Sequence, residues 1–139
     1  MNRQKFLLNM STLTLGGTIL QLSTAFKTPD TGLTNWAGNL RYSAKKVVYP
    51  KTVAELKTAI LSLKGGKALG SQHSFNKVAD TTETLISSAK LDKVLSIDTK
   101  NLLVWCEGGI KYGMLGLYLE KRGYALHNLA SLPHISVAG

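Results

Sequence analysis

A chain of 139 residues with 44% hydrophobic and 18% charged side chains has material for one hydrophobic core, which excludes whole-chain disorder. Seventeen Lys and Arg stand against eight Asp and Glu, yet apart from Lys45-Lys46 and Lys121-Arg122 the cations are scattered among apolar and acidic neighbours. That is the pattern of a solvated surface, not of a nucleic-acid-binding stripe, and no nucleic-acid partner is expected.

Residues 1 to 25, "MNRQKFLLNMSTLTLGGTILQLSTA", put Arg3 and Lys5 before an apolar stretch and end with Ser23 and Ala25 spaced like the small residues of a cleavage site. They read as an export signal cleaved near Ala25, which sends the protein to the periplasm or elsewhere outside the cytoplasm. "NRQKFL" also has the form of a twin-arginine signal with Gln4 in place of the second arginine, so the export route stays open. The alternative is an N-terminal helix or membrane anchor, but Ser, Thr, Gly and Gln interrupt any run near the ~20 residues a span needs. The mature chain is expected to carry no stable span. It keeps fifteen basic residues against eight acidic ones, a surface with mild attraction for anions.

"TPDTGLTNWAGNLRYSA" is turn-rich and reads as an extended leading segment that ends at "KVVYP". Pro50 excludes helix just before it. Thr52 is placed to cap "TVAELKTAILSLK", with Glu55 as the reciprocal half of a capping box. Val53, Leu56, Ile60 and Leu63, with Ala59 beside them, form one apolar face at helical spacing. Gly65 and Gly66 end this helix, "KALG" gives a short strand, and "GSQHSFN" follows at the strand's C-terminal end, where α/β layers tend to hold ligands. After "ETLISS", the runs "KVLSID" and "LLVWCEGG" flank the turn-forming "DTKN" and predict a hairpin with a four-residue loop. "KYGMLGLYLEKRG" predicts a second helix with Leu115, Tyr118 and Leu119 inward and Gly123 past its end as a C-cap, and "YALHN" a further strand. The fold class is α+β, with strand and helix layers.

Chemistry concentrates on few residues. Cys106, the only cysteine, excludes an internal disulfide framework and a multi-cysteine metal cluster, and its strand context makes it a buried small hydrophobe. The spacings of His73, His127 and His134 match no compact ligand signature, and no metal is expected. Gly-x-Ser-x-Gly, Gly-x-Gly-x-x-Gly and the Walker lysine loop are all missing. Two loops remain, "GSQHSFN" and "ASLPHISVAG", each dense in small residues whose N–H groups can approach an anion closely. They read either as ordinary polar turns or as a clasp around a pyrophosphate. His73 stands out, because imidazole adds nothing that a turn requires.

"NWAGN" (35–39), "LGSQHSFN" (69–76), "GGIKYGML" (108–115) and "LHNLASLPHISVAG" (126–139) together resemble the N-terminal part of the PCMH-type FAD-binding domain of the vanillyl-alcohol-oxidase type flavoenzymes. Within these the similarity is strongest to the alditol and aldonolactone (gulonolactone, arabinonolactone) oxidases. The resemblance implies FAD, in many members bound covalently through the histidine that His73 matches. A neutral imidazole nitrogen, the form needed for attack on the flavin's 8α-methyl carbon, is what an isolated imidazole mostly offers at neutral pH. It further implies that Gly70, Ser71, Gln72, Ser74 and Phe75 line the cofactor, and that Ser131, His134, Ser136, Val137, Ala138 and Gly139 form a second cofactor loop. Ala130 and Ser131 would lie near the isoalloxazine as the residues next to catalysis.

Asn35 and Trp36 are expected to brace the fold, His127 to end a strand, and Cys106 to form no second flavin link. The domain reading is an export signal over 1–25 and the front of an FAD-binding domain over 26–139, cut at its C-terminus, with the substrate domain absent. Such a chain is expected to bind FAD weakly and not to turn over alone. In complete form it is expected to oxidise a CH-OH group of a polyol or sugar lactone with oxygen as acceptor. A noncatalytic flavin-carrying module and a basic domain that binds anionic polymers are the alternatives.

Overall fold

The computed structural model describes residues 31–139, so the expected export signal lies outside the described residues. The chain folds as an α+β unit with two small sheets. The first is built from β1 (Lys46–Val48), β2 (Gly66–Leu69) and β3 (Thr84–Ser87), all parallel, in the order β1-β3-β2. β3 takes the centre because Thr84, Leu85 and Ser87 are buried, as a parallel strand covered on both faces requires. Tyr42, Ala44, Leu69 and Leu85 make the core beneath it. Leu85 is wholly buried, which contributes roughly 2 kcal/mol.

Between β1 and β2 runs α1 (Val53–Ser62). The predicted capping box forms in modified shape: Thr52 Oγ1 accepts from the Glu55 N–H at 3.1 Å, while the Glu55 carboxylate accepts from the Lys51 N–H, not from that of Thr52. The predicted apolar face is only partly covered. Leu56, Ala59 and Leu63 are half-buried, but Val53 and Ile60 stay exposed among the described residues. The glycine pair does not terminate the helix either. Leu63 already turns extended, and Gly66 opens β2, where a Cβ would sit 2.7 Å from the Thr84 carbonyl oxygen.

The second sheet is the predicted hairpin, β4 (Val94–Asp98) and β5 (Leu103–Cys106), joined by residues 99–102. Asp98 shapes its turn by accepting from the N–H groups of Lys100 and Asn101 and from the Asn101 amide. α2 (Tyr112–Glu120) packs Leu115 and Leu119 with Ile110 into a second core, against Val94, Ile97, Val104 and Cys106. Tyr118 is half-buried at its edge, not fully inward. Gly123, at φ 78°, closes the helix as predicted, with the Tyr124 N–H reaching the Leu119 carbonyl at 3.1 Å. The strand predicted at "YALHN" does not form: Tyr124 and Leu126 pack onto the second core as irregular backbone, and His127 is exposed.

The leading segment also departs from expectation. From Leu33 to Tyr42 it doubles back on itself, held by Asn35 N–H to Leu40 O, Tyr42 N–H to Leu33 O and a bridge between Thr34 and Arg41. Among the described residues no helix is long and apolar enough to cross a membrane.

Candidate functional site

The two small-residue loops meet. Ser71 Oγ lies 3.0 Å from Ser136 Oγ and accepts from the Ser136 N–H at 2.7 Å, while the Ser71 N–H donates to the Gly139 carbonyl at 2.9 Å. Gly70 permits this approach, since any Cβ there would overlap the Gly139 carbonyl. The second loop is also tied to α2. The Tyr112 and Gly113 N–H groups donate to the Ile135 and Pro133 carbonyls, so the loop caps a helix that lacks a side-chain cap.

These ties divide the backbone donors unequally. From Ile135 to Gly139 every N–H is engaged, on Leu132, Ser71, Ile110, Gly108 and Ser136 in turn. In the first loop the N–H groups of residues 72–75 find no acceptor among the described residues. Gln72 sits at φ 65°, a left-handed conformation that costs a non-glycine residue about 1 kcal/mol. Its amide donates to the Thr34 carbonyl at 3.1 Å and its own carbonyl accepts from the Trp36 N–H at 2.8 Å, which hold that conformation. Asn35 is buried and donates to the Ser74 carbonyl, so it braces the fold as expected. Trp36 does something else: it is 56% exposed and stacks on both His73 and His134.

Beside the junction opens a cavity of about 600 Å³, within the range typical of small-molecule sites. Gly70, Ser71 and Ser136 line it from the loops, Ser88 from the C-terminal end of β3, and Lys111, Lys121 and Arg122 supply positive charge against a single carboxylate, Asp92. Arg122 lies 3.6 Å above the Tyr118 ring and donates to the Tyr118 carbonyl at 2.9 Å, which fixes its guanidinium. Of the residues read from the sequence, His73 and His134 stand outside the cavity wall as a half-buried pair. Gln72, Ser74, Phe75, Ala130, Ser131, Val137, Ala138 and Gly139 do not line it either, and Phe75 and Ser131 are exposed.

No motif in the sequence singles out Lys111, Lys121, Arg122 or Ser88 as site residues; the Lys121-Arg122 pair is the one signal, and it reaches only two of the four. Cys106 is half-buried, and burial pushes its thiol pKa up, as suits a packing residue. Among the described residues no three His, Cys, Asp or Glu side chains group to hold a metal ion.

A largely apolar cavity at strand ends that carries three cations and three serines suits a ligand with both an apolar and an anionic part, as a dinucleotide has. The profile of the FAD binding domain matches residues 44–139, and the chain belongs to that family. It is 41% identical over 112 residues to the alditol oxidase of a Streptomyces species, covering 78% of this chain and 27% of that protein. It is 35% identical over 109 residues to the L-gulono-1,4-lactone dehydrogenase of Mycobacterium tuberculosis, covering 76% and 26%. To the D-arabinono-1,4-lactone oxidase of Saccharomyces cerevisiae it is 35% identical over 115 residues, covering 76% and 22%. The chain thus spans about a quarter of the length of these relatives.

FAD is the cofactor of this family, and the residues present fit it. Lys111, Lys121 and Arg122 give the cavity wall the positive charge that its diphosphate needs, and Ala89, Val94, Ile110, Met114 and Leu117 give the apolar surface that its rings need.

Proposed function

We propose that this chain forms the FAD-binding part of an exported oxidoreductase that oxidises a CH-OH group of a sugar alcohol or aldonolactone, with dioxygen as acceptor and FAD attached through His73. One observation carries the reading: the loop that presents His73 and the loop of residues 130–139 join beside a cationic cavity in a chain of the FAD binding domain family. The names of the relatives support the substrate class, and residues 1–25 alone support export. When bound, FAD supplies acceptance of a hydride from the CH-OH carbon. Ser71, Ser136, Lys111, Lys121 and Arg122 would hold its anionic part, Trp36 and His134 would orient His73, and Ala130 and Ser131 would stand beside the isoalloxazine. Attachment through His73 would replace an 8α C–H bond and the imidazole N–H by a C–N bond, with the two electrons and two protons released passing to dioxygen.

The whole oxidoreductase of which this chain forms the FAD-binding part is expressed, unfolded in acid and separated from free flavin. Flavin fluorescence is expected to travel with the polypeptide, to vanish from it in His73→Ala, and to accompany oxygen uptake with alditols or aldonolactones. Polypeptide-bound flavin in His73→Ala overturns the linkage. Bound flavin that no alditol or lactone bleaches favours the flavin-carrying module, and salt-sensitive polyanion binding without flavin favours the anionic-polymer reading.

A further inference from the structure

His73 Nε2 and His134 Nε2 lie 2.8 Å apart although 61 positions separate the two residues. The Trp36 indole stacks on both rings, with centroids 4.6 Å from His73 and 5.7 Å from His134 and planes within 22° and 17°. The ties between Ser71, Ser136 and Gly139 are what bring the two loops, and so the two imidazoles, to this distance. Two ring nitrogens so close hold one proton between them: with none the lone pairs repel, and with two the N–H groups collide. His73 Nε2 is therefore engaged by His134, which leaves Nδ1 as its other ring nitrogen. Where His73 donates, Nδ1 carries the lone pair of a nucleophile; where His134 donates, Nδ1 carries a hydrogen and is inert.

We propose that His134 is a positioning residue for His73. It accepts the Nε2 proton, holds His73 in the tautomer with a free lone pair on Nδ1, and receives that proton when Nδ1 forms its bond to carbon, while Trp36 clamps both rings. This rests on the reading of His73 as the attachment residue. Of the two protons that attachment releases, His134 takes the one from His73, and the electron pair follows the course given above. A positioned proton acceptor of this kind contributes roughly a hundredfold or more to a proton-coupled step.

Two measurements test it. Long-range nitrogen–proton NMR of the flavin-free protein, with labelled histidine, reads the tautomers: His73 is expected as the Nε2–H form in the wild type and as a mixture in His134→Ala. In the second, flavin-free protein from riboflavin-starved cells is mixed with FAD, and fluorescence that survives acid unfolding is followed with time. Attachment, read as the share of the FAD bound before unfolding that survives it, is expected to slow at least tenfold in His134→Ala and to recover in part in His134→Gln, whose amide oxygen still accepts.

Equal rates in wild type and His134→Ala, or a wild-type His73 in the Nδ1–H form, overturn the proposal and leave the attachment reading standing. A wild type that binds FAD and never attaches it overturns that reading, and the proposal with it.

Discussion

The side-chain amide of Asn35 donates to the backbone carbonyl of Ser74 at 2.9 Å, across 39 positions, while the next residue's N–H holds the carbonyl of Gln72. Both carbonyls that flank His73 are thus gripped by two adjacent residues of the leading segment. Asn35 also donates to Asn39 Oδ1 and accepts from the Leu40 N–H. Asn35→Ala removes three hydrogen bonds centred on a buried side chain, to the half-buried Leu40 and Ser74 and the exposed Asn39, and is expected to cost about 2 kcal/mol. A urea titration checks the loss, and faster amide exchange at Leu40 locates it.

Two glycines make opposite predictions. A Cβ on Gly109 would lie 2.7 Å from the Leu91 carbonyl oxygen and overlap the Ser88 carbonyl, so the backbone of the segment after β3 would have to move. Gly109→Ala is expected to lose about 2 kcal/mol or more. Gly116, inside α2, has nothing within 4 Å of its would-be Cβ. There alanine is expected to add about 0.5–1 kcal/mol by lowering the entropy of the unfolded chain. Denaturant midpoints of the two variants, measured side by side, should move in opposite directions.

Tyr42 is 7% exposed, and its hydroxyl finds no partner among the described residues. Burial, with the Asp80 charge as the lesser cause, pushes its pKa above the ordinary phenol value, so the group stays neutral and uncompensated. Tyr42→Phe removes a buried polar atom and keeps the ring, and is expected to stabilise the fold by roughly 1 kcal/mol. A lower thermal midpoint in the phenylalanine variant would show that the hydroxyl has a partner after all.

Asp80 predicts an acid-side dependence. Burial works against its charge, but donation from the Ser43 N–H and hydroxyl at 2.7 and 2.8 Å, from the Thr81 N–H, and the Lys77 charge outweigh it and lower its pKa below the ordinary 3.8. The folded value lies below the unfolded one. The associated stability is therefore present above pH 3.8 and is lost as pH falls through the folded pKa. Stability followed from pH 5 downward should decline less steeply in Asp80→Asn than in the wild type. Asp80 is only partly buried and its partner Ser43 is exposed, so the difference should be modest and should shrink with added salt.

Local signals were legible in the sequence where chain-neighbour chemistry decides the outcome. Thr52 caps α1, Gly123 ends α2, and the four-residue loop after Asp98 joins the hairpin, because each depends on side chains within a few positions. What failed was decided at a distance. Gly66 reads as a helix stop, but the Thr84 carbonyl across the sheet requires a glycine there. "YALHN" has strand composition, yet among the described residues it pairs with no strand, and Tyr124 and Leu126 bury apolar surface on the second core. At the candidate site the loop at His73 was visible as motif and composition. Its company was not, because Trp36, His73 and His134 lie far apart in the chain and meet only through contacts between the loops and the doubled-back segment.

The order β1-β3-β2 puts the latest of the three strands in the middle. On the ribosome, β1, α1 and β2 would emerge with no partner for either strand, since neither pairs with the other. Sheet formation must wait until Ser87 has cleared the exit tunnel, and the nascent segment until then is a stretch for chaperones to shield.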